Sequence, residues 1–292
     1  MRSTAKIWGI VGFLFIVSSC GRMTCSQSRH RAIEIMNEGV KAYSDGNVAE
    51  AVKIFERAVV EDPTYSEGHH NLAKAFQKLG KWSDARTHFS QVTMLEAENP
   101  AAFYDLGVAQ QHLDRPDEAK KSYEKALLLD PNQYKAHFRI GELNEAAGDL
   151  PAADKSYRAA IKLNSRFAKS FASLGMLYIR NEYVDEANQV FTEGIRVSPS
   201  DAALHSGLGI ALTRKGKAVE AIPHFKHALS LKPDLHDAVY NLGMAYYSAG
   251  KAEEATKQLK RFVATAKNKK EIDEEFVKAA QEKISQIAQG GM

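Results

Sequence analysis

From about residue 32 the apolar positions return every three or four residues, the spacing of one buried helix face. After Pro100, the residues Phe103, Leu106, Gly107 and Gln110 share such a face, which predicts a helix over the first fourteen residues of a longer segment. That segment recurs without a gap every 34 residues, with starts at Ala32, Ser66, Pro100, Tyr134, Ala168, Ala202 and His236. Position eight is small each time: Gly39, Ala73, Gly107, Gly141, Gly175, Gly209 and Gly243. Position twenty is alanine throughout, from Ala51 to Ala255, and position twenty-four is aromatic from Phe55 to Phe225, then Leu259.

Each position has a physical reading. A small residue at position eight lets a second helix approach closely, and we expect it to face the alanine at position twenty. A larger side chain would overpack that contact by about 1–3 kcal/mol. The aromatic is expected to fill the wedge between one helix pair and the next. Glycine at position fifteen (Gly46, Gly80, Gly148, Gly216, Gly250) suits the left-handed residue that ends a helix. Pro116 and Pro151 stand where a second helix would begin, and a missing amide is harmless there. Pro223 lies deeper in its helix and predicts a local irregularity.

A period of 34 with small and aromatic residues at these positions resembles the tetratricopeptide repeat. The resemblance covers residues 32–269 and implies an all-α, right-handed α-solenoid (superhelix) of seven helix pairs. One pair cannot bury its own apolar face, so stability must come from stacking, with polar caps at the ends. Ile272, Phe276, Ala280, Ile284 and Ile287 recur at helical spacing, which predicts a C-terminal capping helix within residues 270–292.

The first residues follow another pattern. Arg2 and Lys6 precede an apolar run from Ile7 to Val17, shorter than the ~20 residues that a membrane-spanning helix needs. That predicts a secretory signal over residues 1–19. Val17-Ser18-Ser19-Cys20 resembles the lipobox of bacterial lipoproteins, which implies lipid attachment at Cys20 and a short polar tether over residues 20–31. Several acyl chains hold stably, since each buried methylene contributes about 0.8 kcal/mol. Gly21 replaces the aspartate tied to inner-membrane retention, so the expected location is the periplasmic face of the bacterial outer membrane. Ordinary cleavage would instead leave Cys20 and Cys25 able to pair, and an uncleaved anchor is the third alternative.

In this family the first helices of the pairs line the concave face, which implies a partner-binding groove. Its candidate residues are Asn71, Lys74, Tyr104, Lys135, Arg139, Lys169, Arg180, Arg214, Tyr240, Asn241 and Tyr247, with Phe138 among the inward positions. Against Glu142 and Glu145, the cations of repeats four to six leave the middle of the groove mildly basic. The expected partner is a protein or peptide segment with acidic side chains or a free carboxylate. Lys135 and Arg139 match part of the carboxylate clamp of chaperone-binding relatives, but His70 and Asp105 occupy its other positions.

Charge and chemistry then narrow the reading. A formal charge of +3 over 292 residues is too small for a nucleic-acid partner. No Gly-x-Ser-x-Gly, phosphate-cradling glycine loop, His-Glu-x-x-His or CxxC occurs, so neither an enzyme nor a cofactor is expected. His69, His137 and His205 share position four of their repeats, far apart, and His224 with His227 reads as solvated surface without a third metal ligand.

The resulting expectation is a non-enzymatic, lipid-anchored scaffold. Its layout is similar to the pilotin lipoproteins that help type IV pilus secretins assemble. An adaptor for peptidoglycan hydrolases or synthases has the same layout, and without lipid on Cys20 the chain would be an assembly factor or chaperone-like protein.

Overall fold

A computed structural model describes residues 11–266 and 274–291, with side chains from residue 26 onward. The side chains of Cys20 and Cys25, and the residues Arg2, Lys6, Lys267, Ile272 and Asp273, lie outside that description. Every regular element among the described residues is an α-helix. The chain divides into two compact units, Met1–Asn132 and Gln133–Met292.

The first unit contains α1 (Val11–Ser44), α2 (Val48–Glu61), α3 (Ser66–Lys78), α4 (Trp82–Leu95), α5 (Pro100–His112) and α6 (Pro116–Leu129). Within this unit consecutive helices pack together, from α1 on α2 to α5 on α6. Residues 20–31, expected to form a tether, belong to the long α1. Arg29 of that stretch pairs with the buried Asp62 and donates to Thr64 Oγ1 at 3.1 Å.

The second unit contains α7 (Tyr134–Ala146), α8 (Leu150–Leu163), α9 (Ala168–Arg180), α10 (Val184–Val197), α11 (Ala202–Arg214) and α12 (Ala218–Leu231). It continues with α13 (His236–Ser248), α14 (Ala252–Ala266) and α15 (Glu274–Ala288). Consecutive helices pack together, and the first helices of neighbouring pairs also touch, α9 on α11 and α11 on α13. In class this is an all-α helical-repeat solenoid.

The alanines at position twenty are wholly buried in all seven repeats. The nearest neighbour of the position-eight glycine, however, is the ring at position twenty-four. A β-carbon on Gly107 would fall 2.6 Å from the Tyr123 ring, one on Gly141 2.6 Å from Tyr157, and one on Gly175 2.5 Å from Phe191. The small residue therefore accommodates the ring at position twenty-four, because that ring turns back across its own pair. The same ring reaches the next pair as expected: a β-carbon on Gly207 would lie 2.2 Å from Phe191.

Helix ends follow local chemistry. Gly46, Gly80, Gly148, Gly216 and Gly250 all have φ between 72° and 84°. In repeats three and five the same left-handed position is held by Asp114 (φ 55°) and Glu182 (φ 63°), where a side chain strains the backbone. Asn99, Asp149 and Asp201 cap α5, α8 and α11 by accepting from amides two or three residues on. Pro116 and Pro151 stand in the first turn of α6 and α8. Helix α12 runs through Pro223 without interruption, so the missing amide costs a hydrogen bond but not the helix.

At the C-terminal end, α15 packs on α14 and buries Ala280 against Val239, Leu259 and Phe262. Among the described residues no helix is long and apolar enough to cross a membrane.

Candidate functional site

In the first unit, the first-helix face of repeats two and three is built around a carboxylate of the chain itself. Asp105 on α5 accepts from Lys74 Nζ at 2.7 Å and pairs with His70 Nε2 at 3.2 Å, both from α3. Burial raises the Asp105 carboxyl, but the His70 hydrogen bond and the Lys74 charge outweigh it and hold it below the ordinary 3.8. Lys74 also lies 5.3 Å from the centre of the Phe89 ring. Its charge is thus committed inside the chain. Asn71 donates to the Met36 sulfur at 3.4 Å, and Tyr104 packs at 5.6 Å on Tyr123.

In the second unit, the corresponding face runs along α7, α9, α11 and α13. Arg139 pairs with Glu142 at 2.8 Å, three residues on, and Arg180 of α9 pairs with Glu145 of α7. Glu145 also accepts from the Tyr157 hydroxyl at 2.6 Å. Both acids of the predicted basic stretch are therefore matched by arginines. Lys135 and Lys169 are exposed, with Lys135 over the Tyr134 ring at 5.9 Å. Phe138, expected to point into the groove, is buried instead against Tyr157 and Phe167, because its ring is needed in the core.

Arg180 also lines a cavity of about 440 Å³. Met176, Ile179, Ile210, Phe262 and Phe276 give it apolar walls, and Arg180, Arg214, Asp237, Tyr240 and Asn241 supply polar groups. Arg214 donates from Nη1 to the Ile179 carbonyl at 2.9 Å, which fixes the guanidinium at the cavity. Tyr240 is wedged between Phe262 (5.2 Å) and Phe276 (5.4 Å), and burial pushes its hydroxyl pKa above 10. Phe276 comes from α15, so the capping helix contributes a wall that the repeat pattern alone does not foretell. Tyr247 faces the tail instead: its hydroxyl donates to Gly291 O at 3.5 Å and Lys283 sits 4.4 Å over its ring.

Of the two histidines expected on a solvated surface, His227 is exposed but His224 is half-buried. His205 is buried, with Nδ1 3.3 Å from Nδ1 of the half-buried His224 and its ring 4.4 Å from that of His227. His69 and His88 form a matching pair in repeat two. Among the described residues no group of three or more His, Cys, Asp and Glu has the geometry of a metal site.

Profiles of the tetratricopeptide repeat match residues 42–106, 100–133, 134–167, 173–236 and 212–274. Among curated protein sequences none matches the chain. A tetratricopeptide-repeat protein from Parabacteroides merdae superposes with a TM-score of 0.65 at 15% identity, over 90% of this chain and 99% of that one. Pseudomonas aeruginosa pilF gives 0.59 at 15% identity, over 73% of this chain and 96% of its own. The APC/C hetero-tetramer Cut9–Hcn1 gives 0.59 at 20% identity over 73% of this chain, which spans only 42% of that relative. At these identities the likeness is one of fold. With the family profiles, it makes the chain a member of the tetratricopeptide-repeat family, whose fold is a scaffold for protein–protein interaction.

Proposed function

We propose that this protein is a non-enzymatic scaffold that holds an envelope protein by a segment bearing acidic side chains or a free carboxylate. The groove of repeats four to seven takes that segment. Arg214 carries the reading: it stands at an apolar cavity and, among the described residues, engages one of its five N–H donors, with the Ile179 carbonyl. A carboxylate would pair with the remaining donors while an adjacent aliphatic or aromatic side chain enters between Met176, Ile210 and Phe276. Lys135 and Lys169 extend the positive surface along the same face, and Asn241 offers an amide to the segment's backbone.

Lipid on Cys20 would hold the scaffold at the periplasmic face of the outer membrane. The lipobox-like residues Val17 to Cys20 support that placement, and Gly21 supports the outer over the inner membrane. The layout shared with pilotin lipoproteins supports assistance to pilus or secretin assembly as the process.

The test is photo-crosslinking in intact cells from a probe at Asn241, comparing wild type with Arg214→Glu/Lys169→Glu. Capture of one envelope protein is expected, falling about tenfold or more in the variant because charge-assisted contacts contribute about 1.5–3 kcal/mol each. Unchanged capture overturns the groove reading. Separately, globomycin should block processing and Cys20→Ser should abolish palmitate labelling; labelling that survives the substitution overturns the lipid reading.

A further inference from the structure

We propose that the histidine pairs His69–His88 and His205–His224 are acid-sensitive latches between the two helices of repeats two and six. In the first pair the Nδ1 atoms are 3.0 Å apart, and His69 Nε2 lies 3.0 Å from the Pro63 carbonyl. In the second the Nδ1 atoms are 3.3 Å apart, and His205 Nε2 lies 2.9 Å from the Pro199 carbonyl. A carbonyl only accepts, so Nε2 of His69 and of His205 carries the hydrogen. Their neutral rings then present a bare Nδ1, and His88 and His224 donate to it from their own Nδ1.

This arrangement tolerates one proton. A first proton leaves a donor and a lone pair facing each other. A second removes the acceptor and sets two cations about 3 Å apart within the helix pair. His69 and His205 are nearly inaccessible, so water cannot take over the lost contact.

The surroundings oppose charge on His88 and His224 from the first proton onward. Burial, then the neighbouring His69, hold His88 below its ordinary 6.5, against the pull of Asp84 one turn earlier. Burial, then His205 and His227, hold His224 below 6.5 likewise. An unfolded or opened segment therefore takes the proton more readily than the closed one. Stability from the latches is fully present above about pH 6.5 and is lost as pH falls below it.

The register argues for a built device. Both pairs join position four to position twenty-three, 19 residues on. Repeat four has His137 at position four but Ser156 at position twenty-three, so it lacks the second imidazole and serves as an internal control.

The experiment is amide hydrogen exchange on the full-length chain between pH 5 and 7.5 with EDTA present, corrected for intrinsic rates. The variant is His88→Asn/His224→Asn, whose amides can donate to the same Nδ1 atoms without titrating. In wild type, protection of α4 and α12 should fall by up to about tenfold per pH unit below 6.5, while α8 stays level. The variant should abolish that slope. Equal slopes in α4, α8 and α12, or a variant with the wild-type slope, overturn the proposal. Should the variant not fold, imidazole nitrogen spectra of wild type decide: Nδ1–H tautomers at His88 and His224 with late titration support the latches, and Nε2–H tautomers or titration at 6.5 overturn them.

Discussion

The Phe191 ring lies against Gly207 so closely that a β-carbon there would fall 2.2 Å from Cε1 of the ring. Phe191 is fully buried and also abuts Gly175, so it has little room to withdraw. Gly207→Ala should therefore destabilise the protein by about 1–3 kcal/mol, although alanine is the better helix former. Urea unfolding measures this, and a gain in stability would mean that the ring has room.

At the left-handed helix ends the expected sign is reversed. Glu182 (φ 63°) holds a conformation that the other repeats mostly give to glycine. Glu182→Gly should stabilise by about 1 kcal/mol, because relief of backbone strain exceeds the added freedom of the unfolded chain. Asp114→Gly should gain less, since aspartate enters this region more easily. Thermal unfolding of both single variants checks the order.

The Asp105 cluster makes stability depend on pH. A carboxyl held below its ordinary value stabilises the fold above about pH 3.8, and that contribution is lost as pH falls through the lower folded value. Asp105→Asn should be less stable than wild type at neutral pH, with the gap closing below 3.8. Asp105→Ala should cost about 1–3 kcal/mol at pH 7, because Lys74 and His70 lose their common partner. Denaturant titrations from pH 3 to 7 report both.

Removing the capping helix should harm more than the end of the chain. A chain stopped after Ala266 lacks the cover over Val239, Leu259 and Phe262. Roughly 1.5–3 kcal/mol is expected for each large apolar side chain returned to water. A lower unfolding temperature and concentration-dependent association in sedimentation are the readouts.

The repeat architecture is legible in the sequence because steric demands recur at a fixed interval, so each position is stated several times over. What each position touches is less legible. Helical spacing puts Gly175, Ala187 and Phe191 on facing surfaces, but only packing decides that the ring, not the alanine, fills the glycine's space. The groove is harder again. Lys74 and Asp105 are 31 residues apart and meet only after folding, so a count of charges overstates the cations offered to a partner. The Phe276 wall depends on how α15 lies on α14, which no repeat position encodes. The histidine pairs did leave a trace: His88 and His224 occupy the same register, with His69 and His205 at position four before them.

Because the Phe191 ring is seated partly by Gly175 of its own pair and partly by Gly207 of the next, the joint it makes is an interchangeable part. Excising residues 168–201 would bring Tyr157 opposite Gly207 where Ser173 stood, another small residue at the same register. Cutting one residue more or fewer would leave a ring with no seat. Length in this protein can thus change during descent only in whole 34-residue steps.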